Sequence, residues 1–252
     1  MFIESAHNKI IKQIFSLHDK KSRDEQSLFI VEGYKQVKCI PSDWHIEYII
    51  RTEKYKDTDF NSPVKYSTTD AIFKKISETE TPQGILAVVK KQKNNLLDAL
   101  NEKGIFILID SLQDPGNLGS IIRTAEAYNC RGLFLSANTA DPFSGKVVRS
   151  SMGSIFRVPV FQENDLIYII KKIRDKNIKT YALSLQTDNN LGNVSFNESA
   201  AVIVGNEANG ISPDILKNAD ELVKIEMPGK TQSLNAAVAC SIAVYEIFKQ
   251  IK

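Results

Sequence analysis

The chain has 252 residues, 42% of them hydrophobic and 25% charged, which is enough to bury a sizeable core and excludes a disordered polyelectrolyte. Its 32 basic and 30 acidic side chains nearly cancel, so any nucleic-acid surface must be local rather than a basic tail. Three dispersed cysteines, Cys39, Cys130 and Cys240, form no CxxC pair, which argues against a disulfide framework or a metal site and fits a reducing cytoplasm.

Ile10, Ile11, Ile14 and Leu17 fall at helical spacing, so residues 8–17 are expected as a helix, and the charged stretch 20–25 that follows reads as a polar loop. Strands are expected at 28–31, 46–50 and 84–89, with helices at 34–40 and 71–76, giving a small α/β unit over residues 1–90. Residues 90–95 are polar and carry no apolar period, which places a boundary there and a linker over 91–103. Residues 104–252 alternate strand and helix: strands at 105–109, 132–135, 180–185, 201–204 and 222–225, helices at 119–128, 146–152, 166–175, 213–218 and 235–251. Most of these strands are continuous apolar runs, as in a parallel sheet buried on both faces, so the fold class is α/β. No basic-then-apolar leader opens the sequence, and no uncharged apolar run approaches the ~18 residues of a membrane span.

Three glycine-rich turns follow three of those strands. The first, Asp114-Pro115-Gly116-Asn117-Leu118-Gly119, leads to Arg123, which shares a helix face with Gly119; Asn117 reads either as a helix cap or as a ligand-facing polar group. The second, Gly205-Asn206-Glu207-Ala208-Asn209-Gly210, places Glu207 in a loop between two glycines, ahead of a helix start at Ser212-Pro213. The third runs from Ile225 through Met227, Pro228 and Gly229 to Ser233, Leu234 and Asn235, with Ser233 or Asn235 entering the last helix. Turns at the strand ends of a parallel sheet converge on one crevice, where open α/β folds bind ligands. Neither GxGxxG nor GxxxxGK[ST] is present, which removes the main support for a dinucleotide or P-loop nucleotide site.

In order, spacing and residue type the three segments resemble the motifs of the SpoU/TrmH family of RNA ribose 2'-O-methyltransferases, in the SPOUT superfamily. The similarity spans roughly residues 104–252, and the segments 146–153 and 156–159 also look like family sequence. Phe29-Ile30-Val31-Glu32-Gly33 resembles the start of the small substrate-binding domain that many members carry. The resemblance implies a deep trefoil knot in the C-terminal domain, S-adenosylmethionine as cofactor, and a homodimer formed through that domain. Carried over by position, Gly205, Ile225, Met227, Leu234 and Asn235 would bind the cofactor, and Asn117, Arg123, Glu207 and Ser233 would form the catalytic group. The implied reaction is methyl transfer to a ribose 2'-hydroxyl, which excludes DNA as substrate. Ribosomal RNA is favoured over transfer RNA by analogy with enzymes carrying a similar N-terminal unit.

Arginine stays charged in nearly every protein setting, so Arg123 is expected to clamp a phosphate and lower the hydroxyl pKa rather than to act as a base. Lys146, Arg149 and Arg157 are further candidates for phosphate contacts. A non-catalytic RNA-binding module is the competing reading, and three polar groups at three strand ends speak against it.

Overall fold

In this computed structural model the chain is described over residues 1–55, 60 and 64–251; residues 56–59 and 61–63 of the first expected unit, and residue 252 of the second, lie outside the described residues. It divides into two compact units, one of Met1–Lys93 with Asp141–Phe156, the other of Asn94–Ala140 with Arg157–Lys252.

The first unit opens with β1 (Phe2–Ile3) and α1 (Lys9–Ser16), whose first turn is capped by Asn8 and which buries Ile11 and Ile14. Residues expected as a charged loop form a helix instead, α2 (Lys20–Gln26). The Asp19 carboxylate accepts from the Ser22 N–H at its start, and Ser27, at φ 53°, ends it. Periodicity missed this helix because its one buried side chain is Arg23, not an apolar residue. There follow β2 (Leu28–Glu32), α3 (Tyr34–Lys38), β3 (Ile46–Arg51), β4 (Lys65–Thr68), α4 (Asp70–Ile76) and β5 (Ile85–Lys90). The sheet runs β1-β4-β3-β5-β2; β1, β4 and β3 are mutually parallel, whereas β5 runs antiparallel to β3 and β2. Ile11, Ile14, Ile50, Phe73 and Leu86 lie in the core of this unit.

The segment after Ala140 was expected in the C-terminal unit, yet residues 141–156 pack with the first. Two long-range features account for this. The Arg23 guanidinium donates to Asp141 at 2.6 and 2.8 Å and to the carbonyls of Leu17 and His18, with both charged side chains 6% exposed. Phe29 then packs against Trp44 and Phe143, and the Trp44 indole N–H donates to the Phe156 carbonyl at 3.0 Å. The helix in this segment, α7, covers Gly145–Ser150.

The second unit contains α5 (Leu96–Asn101), within the stretch expected as linker, then β6 (Ile105–Ile109), α6 (Pro115–Ala127), β7 (Gly132–Ser136), β8 (Val160–Glu163), α8 (Leu166–Arg174), β9 (Lys179–Leu183), β10 (Ala200–Val204), α9 (Pro213–Asn218), β11 (Glu221–Val223) and α10 (Ala236–Gln250). All six strands are parallel, in the order β11-β9-β10-β6-β7-β8. Every residue of β6 and β10 is buried, as their unbroken apolar sequences predict. The chain leaves β6 toward β7 and β8, then crosses to β9 and returns to insert β10 beside β6, so the direction of winding reverses at β6 and β10. Ligand crevices form at the carboxyl ends of strands at such a reversal.

Candidate active site

Asp110 to Asp114 follow β6 and lead into α6. The helix starts two residues before Asn117, and its cap is Asp114, whose carboxylate accepts from the Asn117 N–H at 2.7 Å, with Pro115 at the first helical position. The capping role open to Asn117 therefore belongs to Asp114. Relieved of that role, the half-buried Asn117 side chain donates from Nδ2 to Glu207 Oε1 at 3.1 Å and accepts at Oδ1 from Asn235 Nδ2 at 2.9 Å. One side chain from each turn is thus joined in a single hydrogen-bonded chain.

The second turn is held in place from both ends. Asn206 Nδ2 donates to the Ser111 carbonyl at 2.8 Å, while its Oδ1 accepts from the N–H groups of Ala208 and Asn209. The Asp110 carboxylate, 6% exposed, accepts from the Ser212 N–H at 2.8 Å. Asn206 and Gly210 exchange backbone hydrogen bonds, folding the loop back on itself so tightly that a Cβ at Gly205 would overlap the Gly210 carbonyl group and the Ile211 nitrogen. Gly205 is required first by its own loop. Glu207 then meets the backbone N–H groups of Asp114 at 3.0 Å and Gln113 at 3.2 Å. Burial pushes the Glu207 carboxyl up, but its own N–H, the Asn117 amide and those two backbone donors outweigh it and hold the group below the usual carboxylate value.

In the third turn, Ile225 lies just beyond β11, which ends at Val223 rather than at 225. Asn235, not Ser233, caps α10, accepting from the N–H groups of Ala237 and Val238. Gly205, Glu207, Ile225, Met227, Ser233, Leu234 and Asn235 all line one cavity of about 520 Å³. Sequence reasoning missed a fourth wall, Leu183 to Gln186 at the end of β9. The signal was present, since that strand is also an apolar run in the same sheet, but no glycine marks its end.

Asn117 and Arg123 do not line this cavity. Asn117 faces a second cavity of about 390 Å³, which shares Asn235 and is bounded by Ser120 and Thr124 of α6 and by Val238, Ile242 and Tyr245 of α10. Arg123 is exposed on α6 and makes no hydrogen bond or ion pair among the described residues. Arg149 lies 3.6 Å from Glu78 and 4.0 Å from Glu32 in the first unit, and Arg157 pairs with Glu126. Both are thus committed to carboxylates, while Lys146 is exposed. Cys130 and Cys240 are buried free thiols; burial pushes Cys130 up to about 12 and raises Cys240 as well, so neither supplies a thiolate at neutral pH. No helix among the described residues is long and apolar enough to cross a membrane.

The profile of the SpoU rRNA Methylase family matches residues 104–245, and that of an MRM3-like substrate binding domain matches residues 8–87. The chain belongs to the SpoU rRNA methylase family. As a member it is an S-adenosylmethionine-dependent RNA methyltransferase with a small α/β substrate-binding domain ahead of the methylase domain. A relative from Bacillus subtilis (strain 168), the 23S rRNA (guanosine(2553)-2'-O)-methyltransferase RlmP, is 36% identical over 97% of this chain and 98% of its own. The structure of an AdoMet-bound rRNA methyltransferase from Sinorhizobium meliloti superposes with a TM-score of 0.88 at 27% identity, covering 100% of this chain and 98% of that one. A TrmH-family RNA methyltransferase structure from Porphyromonas gingivalis gives 0.82 at 29% identity, over 94% and 95%.

Proposed function

We propose that this SpoU-family chain transfers a methyl group from S-adenosylmethionine to a ribose 2'-hydroxyl of ribosomal RNA in the cytoplasm, with the cofactor in the cavity at the ends of β9, β10 and β11. The observation that carries the reading is the link Asn235–Asn117–Glu207, which ties three distant turns together at the rim of that cavity. The residues present fit the cofactor. A cavity of about 520 Å³ lies within the roughly 300–1,000 Å³ of small-ligand sites. Its wall combines Leu183, Ile225, Met227 and Leu234, suited to an adenine ring and a thioether chain, with Ser184, Gln186 and Ser233 for polar groups. Bound there, S-adenosylmethionine supplies an activated methyl group on a sulfonium.

The protein's own contribution is mainly placement. Asn117 and Glu207 are locked to each other and to the backbone of the first turn, so their polar atoms hold fixed positions when the ribose arrives, and positioning of this kind recovers roughly 7–11 kcal/mol of barrier. Ser233, exposed beside Leu234, completes the polar rim. Arg123, exposed and unpaired among the described residues, is free to take a phosphate bidentately and to lower the hydroxyl pKa by its charge.

The homodimer and the trefoil knot belong to the same proposal. Val238, Ile242, Tyr245 and Phe248 are 38–48% exposed and recur along one side of α10, an apolar stripe that three of them extend into the cavity beside Asn117. A second copy covering this stripe would bring its own groups to the site. The placement of β10 between β6 and β9, with residues 225–235 returning to the same cavity, supports the knot.

The test is mapping of ribose methylation in ribosomal RNA from cells with and without the gene, joined to calorimetry with S-adenosylmethionine. Loss of one 2'-O-methyl group together with measurable cofactor heat is expected; an unchanged map overturns the substrate, and no heat overturns the cofactor site. Arg123→Lys separates clamp from simple charge. Turnover should fall by about 10-fold or more, the scale of one charge-assisted hydrogen bond of about 1.5–3 kcal/mol, and near-full turnover rules out a bidentate clamp.

A further inference from the structure

At one end of the first unit's sheet, where β2 and β3 finish and β5 begins, two tyrosines lie against each other. Tyr34 opens α3 directly after Gly33, and Tyr55 follows β3. Their rings are near-parallel, 13° apart in plane, with centroids 5.6 Å apart, so the rings are slid sideways and each leaves part of its π face uncovered by the other. The Lys38 ammonium lies 5.7 Å from the centre of the Tyr34 ring, and the Lys54 ammonium 5.4 Å from that of Tyr55. Neither lysine makes an ion pair among the described residues, and both side chains are exposed. The backbone beneath is pinned: the Tyr34 N–H donates to Gln83 Oε1 at 2.8 Å, and Arg51 Nη1 donates to the Tyr55 carbonyl at 2.7 Å. Phe60 packs against Tyr34 in a T-shaped pair, with ring centroids 5.8 Å apart and planes at 76°.

A core aromatic pair has no need of two unpaired cations above it, and a solvated lysine patch has no need of stacked rings beneath it. The combination of π faces with ammonium groups is the means by which proteins hold unpaired nucleotides, the base stacking on the ring and the cations meeting the adjoining phosphates. Both rings are half-buried, rigid enough to act as a platform and open enough to be reached. We propose that Tyr34 and Tyr55, with Lys38 and Lys54, form a subsite that stacks an unpaired base of the RNA substrate and grips its flanking phosphates. The subsite rests on the reading of RNA as substrate and deepens it. It assigns to the first unit the recognition of a single-stranded element, such as a loop or bulge, rather than of a regular duplex whose bases are already stacked.

The experiment uses the full-length protein in two assays. In the first, fluorescence anisotropy follows binding of a short oligoadenylate and of an abasic ribose-phosphate strand of the same length. The wild type should prefer the strand with bases, and Tyr34→Leu and Tyr55→Leu should each lose about 5- to 150-fold for oligoadenylate, the range of one base–aromatic stack, with little change for the abasic strand. Tyr55→Phe should keep the affinity, since it keeps the ring. Lys38→Gln and Lys54→Gln should weaken both strands alike and lower the slope of log affinity against log salt by about 1 each. In the second assay, methylation of ribosomal RNA from cells lacking the gene is followed; the leucine variants should raise KM for RNA while kcat and the affinity for S-adenosylmethionine stay at wild-type values. Equal wild-type binding of the two strands, or leucine variants with unchanged KM for RNA, overturns the subsite. A wild type that methylates no ribosomal RNA overturns the functional reading instead, and the anisotropy result then stands by itself.

Discussion

The two sheets distribute their strand ends differently. In the second unit six parallel strands send all their carboxyl ends to one edge, so the turns after β6, β9, β10 and β11 gather there whatever their sequence separation. In the first unit β5 runs against β2 and β3, so each edge mixes strand ends with strand starts, and Tyr34, Tyr55 and Gln83 meet from segments carrying no shared motif. Parallel topology converts a sequence pattern into a site, because finding the strands is enough to find the crevice. A mixed sheet offers no such rule, and its surface has to be read from contacts.

That contrast also explains what was legible. The strands β6 and β10 were bounded within one residue because both are buried on both faces and their apolar runs end where burial ends. Glu207 follows β10, Ser233 and Asn235 follow β11, and the parallel order of these strands brings all three to one cavity. The strand β8 passed unnoticed because it is a four-residue edge strand with only Phe161 buried. The home of residues 141–156 was hidden for another reason: Arg23 and Asp141 are 118 positions apart, and no local pattern announces a buried ion pair. That Asp114 rather than Asn117 caps α6 depends on where the helix begins, which propensity locates only to within a few residues.

The largest expected effect breaks the first unit and spares the second. Asp141→Ala leaves the Arg23 guanidinium buried without its carboxylate, and breaking such a pair costs about 3–5 kcal/mol. Differential scanning calorimetry should show one transition lowered, with binding of S-adenosylmethionine retained below it. A variant as stable as the parent would mean that Phe143, Phe156 and the Arg149 pairs with Glu78 and Glu32 hold residues 141–156 without the buried Arg23–Asp141 bridge. The next effect strikes the second unit at its site. Gly205→Ala forces a Cβ into the Gly210 and Ile211 backbone, and such overpacking costs about 1–3 kcal/mol or opens the loop. Titration calorimetry should register loss of cofactor binding along with a lower melting temperature. Gly210→Ala is the control, because open space surrounds that Cβ and only the φ of 68° opposes it, at about 1–2 kcal/mol. Should the two variants prove equally mild, the loop is not as tightly folded as the Asn206–Gly210 pairing indicates.

The smallest effect sharpens the comparison by titrating the link that the parallel sheet makes possible. Glu207 has its carboxyl lowered from an ordinary 4.5, with burial opposed by donors from two turns. A folded-state value below the unfolded one means that the stabilisation is fully present above about 4.5 and is lost as pH falls through the lower, folded value. In Glu207→Gln, one carboxylate oxygen becomes an NH₂ group, which must face either the Gln113 N–H or the pair of donors from Asp114 and Asn117. Two donors then confront each other where a donor met an acceptor, so the variant should be less stable at neutral pH. The difference between variant and parent, read from denaturation midpoints across pH, should stay constant down to about 4.5 and narrow below it, because protonating Glu207 places a hydrogen in the same position as the substituted amide does. A gap that stays constant through the acid range would show that the three turns hold together without the charge on Glu207, through the hydrogen bonds of Asn235 to Asn117, of Asn206 to the Ser111 carbonyl and of the Ser212 N–H to Asp110.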